Sequence, residues 1–219
     1  MTSIYTLTTW VIPLLLCVIL HEVAHGYMAL KLGDKTAWLM GRLTLDPRKH
    51  IDPIGSILVP GLLLLSGSKM LFGWAKPVPV DFNRLHHPKR DMGLVALAGP
   101  AANILLAIVF VLIWRLILAV FPHDSQMTAW MVANLRNGIG LSLVLACFNL
   151  LPVLPMDGGR VVASLLPKNL SIKYQESEKY GLFILIVVLF ILPSMGLNIV
   201  GWFIGALYPL FEGLLNIFM

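Results

Sequence analysis

The segment His21-Glu22-Val23-Ala24-His25 sets two imidazoles four residues apart, with a carboxylate directly after the first. On a helix, positions i and i+4 share a face, so both rings can reach one metal ion. Zinc suits them. It takes imidazole nitrogens at about 2.0–2.1 Å and, in a catalytic site, keeps one position for water. Glu22 is turned by about 100° from His21 around the helix. It can reach that water without being a ligand, which is the place of a general base. The same pattern occurs by chance in soluble helices. Here it lies inside an apolar run, where His and Glu are costly and mark function.

Such a site needs a third ligand. Asp157 is the best candidate, in Asn149-Leu150-Leu151-Pro152-Val153-Leu154-Pro155-Met156-Asp157-Gly158-Gly159. The prolines break a helix, and the glycines let backbone approach closely. An interfacial aspartate that merely caps a helix from Gly158 to Leu166 fits the same residues.

Positioning these groups requires a membrane. Of the 219 residues, 58% are hydrophobic and 12% charged, with a mean hydropathy of +0.85. Soluble domains carry about 25% charged residues. The apolar runs are too long and unbroken for barrel strands, which alternate. The fold class is therefore an all-α polytopic membrane protein, with five to six spanning helices. The expected spans are 5–30, 92–121, 129–151, 179–193 and 197–217, the fourth reaching back into the amphipathic stretch Ile172–Lys179. The run Pro53–Leu65 is shorter and holds Gly55, Pro60 and Gly61. Thr36–Leu45 and Trp74–Phe82 read as strands, the second as an edge because of Pro77 and Pro79. They predict a small hairpin or sheet on the cytoplasmic side, and such an edge can pair with an extended peptide. Cys17 and Cys147 lie in apolar runs and read as small buried fillers rather than a disulfide.

The net charge of +5 is no nucleic-acid signal, because the basic residues cluster between apolar runs. Loops 31–50 and 66–91 (the latter including Lys69) and segment 156–179 are basic, whereas 122–128 and 193–196 carry no Lys or Arg. Positive loops stay in the cytoplasm. This puts the N-terminus outside and the C-terminus inside, provided that 53–65 dips in and returns. A sixth full span is the alternative. With the re-entrant reading, the helices ending near His25 and Asn149 run in the same direction. His25 and Asp157 then meet at one depth, near the cytoplasmic face. The N-terminus lacks a basic leader and a small-residue cleavage site, so the first helix is expected to be retained.

The chain resembles the site-2 proteases, a family of intramembrane zinc metalloproteases. The resemblance rests on His21-Glu22-Val23-Ala24-His25, on Gly99-Pro100-Ala101-Ala102-Asn103 opening a core helix, and on Asn149…Pro152…Asp157-Gly158. It covers about residues 5–165. The family pattern ahead of the aspartate carries leucine where this chain has Met156, a volume-conserving change. The resemblance implies one Zn²⁺ per chain, His21, His25 and Asp157 as its ligands, Glu22 as base, and Asn149 and Asn103 as contacts to substrate backbone. For both Asn149 and Asn103, interhelical hydrogen bonding is the competing reading. The resemblance further implies a minimal bacterial or archaeal member in the plasma membrane. It is expected to form a single integral-membrane domain over 1–219, with accessory helices at about 172–217 and no PDZ insertion or regulatory domain.

The expected reaction is hydrolysis of membrane-anchored proteins, with the membrane-spanning segment of a substrate protein and the lipid bilayer as partners. Strands 36–45 and 74–82 are the candidates for clamping an unwound substrate. A zinc transporter or a non-hydrolytic zinc-binding scaffold is the alternative, and an inactive homologue that binds membrane helices is another. Glu22 beside His21, with no paired sites or internal repeats, favours the protease. His50, His86, His87 and His123 fall in loops or interfaces and read as headgroup-level residues rather than ligands.

Overall fold

The computed structural model describes residues 2–66, 73–122 and 124–217. Lys69 and His123, named above, lie outside them. Helix α1 (Thr2–Lys31) carries the H-E-x-x-H motif in its last third and contains Pro13. Proline has no N–H to give to the carbonyl four residues back. In lipid, that orphaned carbonyl needs a partner from another helix. It has one: Asn137 Nδ2 donates to Thr9 O at 2.9 Å.

Asn137 belongs to α5 (Gln126–Asn149), and the contacts between α1 and α5 run in the same order along both helices. Trp130 Nε1 donates to Thr8 Oγ1 at 3.1 Å, and Cys17 Sγ meets Ser142 Oγ at 3.1 Å. The two helices are therefore parallel, as the ligand depths require. Helix α4 (Pro88–Val120) packs antiparallel against both, its early residues against the end of α1. The small helix α6 (Asp157–Leu165) follows the turn after α5 and packs on α4. Cys17 and Cys147 are buried free thiols, as expected of small fillers.

Among the described residues, four helices are long and apolar enough to cross a membrane: Ile4–Lys31, Pro88–Val120, Gln126–Asn149 and Lys168–Ser194. Of the five to six spans expected, four are found by length and composition. The last of them is a rod made of α7 (Lys168–Glu176), a 3-10 turn, α8 (Gly181–Ile186), a π turn and α9 (Leu192–Ser194). It begins earlier than 179 because the amphipathic stretch continues the helix. Beyond the turn at Gly196 (φ +85°), helix α10 (Ile199–Asn216) has an apolar part, Ile199–Gly213, that is shorter than the four spans. Large apolar side chains such as Leu105 and Leu116 point outward, a surface suited to lipid.

The other short apolar piece is a π turn, Pro53–Leu58, followed by α3 (Val59–Leu65). Asp52 caps it by accepting from Ile54 N and Gly55 N. Beyond it the chain returns to the same end: Trp74 N donates to Gly55 O, and Ser56 Oγ to Trp74 O.

Neither expected strand pairs with another among the described residues. Thr36–Leu39 is instead a helical turn, α2. The buried Asp34 carboxylate accepts from the Thr36 amide and hydroxyl, which starts the turn. Gly41, at φ +62°, ends it. Residues 73–81 form no regular element, and Pro77 and Pro79 remove two of the donors a ladder would use. Anchors to several elements hold this segment. Lys76 N donates to His50 O at 2.9 Å and Asp81 N to Asp34 Oδ2 at 2.8 Å.

Candidate metal centre

One turn of α1 separates His21 from His25, and their rings stand edge to face with centroids 4.6 Å apart. Both Nε2 atoms face Asp157, the first residue of α6. His21 Nε2 lies 3.2 Å from Asp157 Oδ2, His25 Nε2 lies 3.3 Å from Oδ1, and the two Nε2 atoms are 3.1 Å apart. A tetrahedral zinc with bonds of about 2.0–2.1 Å sets its ligands roughly 3.3 Å apart. The triangle has that size. Moreover, Asp157 Oδ2 is buried and receives no hydrogen bond, an orphan that a cation would satisfy. The donor set, two imidazoles and a carboxylate, fits zinc with a fourth position left over. It is the metal-competent His/Cys/Asp/Glu group found among the described residues.

Asp157 does not cap its helix. Met156 occupies the N-cap position without a side-chain bond, and Asp157 falls in the first turn, where the helix dipole favours a negative charge. Burial pushes its carboxyl up, but the two imidazoles facing it, His21 and His25, outweigh this and hold it at about 2. Gly158 is what allows this turn. A Cβ there would strike the Leu150 carbonyl and reach 2.5 Å from Leu151 O.

Each imidazole is held from behind. His25 Nδ1 lies 2.7 Å from the Val95 carbonyl of α4, so Nδ1–H donates there and Nε2 is left free as a ligand. His21 Nδ1 lies 3.2 Å from the amide of Asn103, whose side chain is fully buried. The atom nearest the ring is Nδ2, while Oδ1 is buried without a partner. Exchanging the amide's oxygen and nitrogen lets Oδ1 accept from Nδ1–H and frees His21 Nε2. The structure thus places Asn103 on a ligand's ring. The helix α4 comes this close because of Gly99. A Cβ at that position would lie 2.6 Å from both His21 Cε1 and His25 Cε1.

Glu22 stands beside the triangle, and its Oε2 accepts from Val78 N–H at 2.8 Å. The site opens into a cavity of about 600 Å³ lined by His21, Glu22, His25, Trp74, Asn149 and Asp157, among others. Asn149, expected to contact substrate, ends α5 on this cavity and donates its Nδ2 to Leu145 O.

A protein of Bacillus subtilis (strain 168) named "Putative zinc metalloprotease YwhC" is 40% identical over 187 residues, which cover 84% of this chain and 80% of that protein. The chain belongs to peptidase family M50. The profile of that family, described as "Peptidase family M50", matches residues 116–192. The Mycobacterium tuberculosis protein named "Putative zinc metalloprotease Rip2" is 31% identical over 88% of this chain and 69% of its own length. The "Zinc metalloprotease MJ0392" of Methanocaldococcus jannaschii is 25% identical over 86% of the chain and 44% of its own length. No solved structure matches the chain. The family confirms the site-2 protease resemblance drawn from the motifs.

Two features of this M50 site escape a reading of the sequence. Arg42 counts there only as one charge in a basic loop, and Val78 only as an apolar residue between prolines. The isolated N–H of Pro77-Val78-Pro79 is the one signal that could have pointed to a specific role for that segment.

Proposed function

We propose that this M50 peptidase hydrolyses peptide bonds of other proteins within or beside their membrane-spanning segments. His21, His25 and Asp157 hold the zinc, and Glu22 is the base. The observation that carries the reading is the 3.1–3.3 Å triangle of ligand atoms, with a carboxylate outside it yet on the same cavity.

When bound, zinc supplies a Lewis acid that makes water nucleophilic near neutral pH and polarises the scissile carbonyl. Glu22 takes a proton from the attacking water and delivers it to the leaving amine. Asn149, at the cavity wall, offers an amide to substrate backbone or to the oxyanion. A helical substrate hides its scissile bond in its own hydrogen-bond ladder and must unwind before attack. Trp74, Ala75, Pro77, Val78 and Val80 line the cavity and offer a wall along which the unwound chain lies. The positive loops support a cytoplasmic position for this end of the bundle, and the resemblance to minimal family members supports a bacterial or archaeal plasma membrane.

The test is cleavage of single-span reporter proteins in detergent by wild type and Glu22→Gln at matched zinc content. Wild-type cleavage that is lost in Glu22→Gln and in chelator is expected. Cleavage that survives the substitution would sink the role given to Glu22. Zinc binding at one per chain with no cleavage of any reporter would favour transport or scaffolding.

A further inference from the structure

Arg42 is 7% exposed, and among the described residues no carboxylate lies within ion-pair distance of it. A buried cation without a counter-charge is costly. Its Nη2 donates to two carbonyls, Lys76 O at 3.0 Å and Pro77 O at 3.2 Å. Pro77 O and Val78 N–H belong to a single trans peptide. They point in opposite directions, one toward Arg42 and the other toward Glu22 Oε2 at 2.8 Å. A positive charge on the carbonyl side polarises the N–H on the other side, and hydrogen bonds in series strengthen one another. Arg42 and Glu22 are therefore linked, charge to charge, through one peptide unit.

The flanking sequence isolates this link. Pro77 and Pro79 have no N–H, so Val78 supplies the donor at this point of the segment. Lys76 N is tied to His50 O and Asp81 N to Asp34 Oδ2, which fixes the peptide from both sides.

We infer that Arg42 is a positioning residue for the reaction: through the Pro77–Val78 peptide it holds Glu22 by one oxygen and leaves Oε1 to take the water's proton. This rests on the reading of Glu22 as base. A purely structural Arg42 would staple the loop after α2 to segment 74–80. Its loss would then weaken substrate pairing and raise KM, leaving the proton transfer alone.

The experiment compares wild type, Glu22→Gln, Arg42→Met and Arg42→Lys in full-length protein. It measures kcat and KM on a single-span reporter, zinc per chain by elemental analysis, and Tm. Arg42→Met is expected to lower kcat by about tenfold to a hundredfold, the usual cost of losing an outer supporting bond, with zinc retained. Its KM should stay within about twofold of wild type. Arg42→Lys, which still presents a cation to the carbonyls, should recover most of kcat. A raised KM at unchanged kcat, or a loss that follows zinc or that lysine does not repair, would overturn the inference. If Arg42→Met does not fold, Val78→Pro removes the N–H from a residue already flanked by Pro77 and Pro79. It must show the same kcat loss, and an undiminished kcat overturns the inference. A fully active Glu22→Gln defeats the base reading itself. An inactive Glu22→Gln beside a fully active Arg42→Met defeats only the present inference.

Discussion

Gly99→Ala adds one methyl group, and the structure says where it goes. The new Cβ would sit 2.6 Å from Cε1 of both His21 and His25. Carbon atoms pack best at about 3.5–4.0 Å, so each ring overlaps the methyl by roughly 1 Å. Neither ring can yield freely. His25 is pinned by the Val95 carbonyl at 2.7 Å and His21 by Asn103 at 3.2 Å. A metal site tolerates ligand shifts of about 0.2 Å, several times less than the overlap. Either α4 withdraws or the triangle opens. Overpacking costs about 1–3 kcal/mol, and if that falls on the zinc-bound state the zinc Kd rises by roughly 5- to 150-fold. The assay is competition for zinc against a chromophoric chelator in detergent, with Tm of the metal-free protein measured in parallel. Gly140→Ala is the control, since a Cβ there meets nothing within 4 Å. Wild-type zinc affinity and wild-type kcat in Gly99→Ala would refute the claim that this glycine sets the ligand geometry.

Three further outcomes follow from named contacts. Asn103→Leu should weaken zinc binding by about 10- to 100-fold, and Asn103→Asp, which keeps an oxygen for His21 Nδ1–H, should lose less. Equal losses in the chelator competition would mean that the amide oxygen does not face the ring. Asn137→Leu leaves the Thr9 carbonyl, freed by Pro13, without its donor and should cost about 1 kcal/mol of stability in detergent unfolding. Adding Pro13→Ala should return most of that, and no recovery would break the link between the proline and the asparagine. Asp34 is buried, which raises its carboxyl, but the Thr36 hydroxyl and amide, the Asp81 amide and the Arg84 charge prevail and hold it below 3.8. Its contribution is thus full above about pH 4 and fades as pH falls through the depressed value. Asp34→Asn should lower Tm at neutral pH and flatten its decline under acid, and parallel Tm curves for the two proteins would count against it.

What the sequence made legible was local or compositional. The His21–His25 pair follows from helical periodicity alone, and the membrane class from apolar run length. Asp157 lies far along the chain, and only charge bias in the loops argued that α1 and α5 run parallel. The hydrogen bonds from Trp130 to Thr8 and from Asn137 to Thr9 now establish this directly. The strand readings of 36–45 and 74–82 fell short for a physical reason. Residue types predict a preference for extended backbone, but whether a ladder forms depends on donors, and prolines and side-chain anchors have taken these. At the C-terminal end the division near Pro193 and Gly196 was legible, but the apolar part of the last helix, Ile199–Gly213, is shorter than the expected span 197–217. Arg42 was legible only as a charge, because its meaning depends on which peptide it touches.

The four groups of the centre share one design. Each has two polar atoms or two possible roles, and the surrounding chain takes up one of them. Val95 O occupies His25 Nδ1, Asn103 occupies His21 Nδ1, and Val78 N–H occupies Glu22 Oε2. Asp157 is relieved of capping by Met156 and by the close turn at Gly158. Two Nε2 atoms and a carboxylate remain to form the triangle, and the base lies on the same cavity. Three of these constraints come from α4 or from segment 74–80, which carry no zinc ligand and not the base. The H-E-x-x-H helix therefore supplies the ligands but not their orientation. Changes at Val95, Gly99, Asn103 or Arg42 should thus impair the centre while leaving every ligand in place.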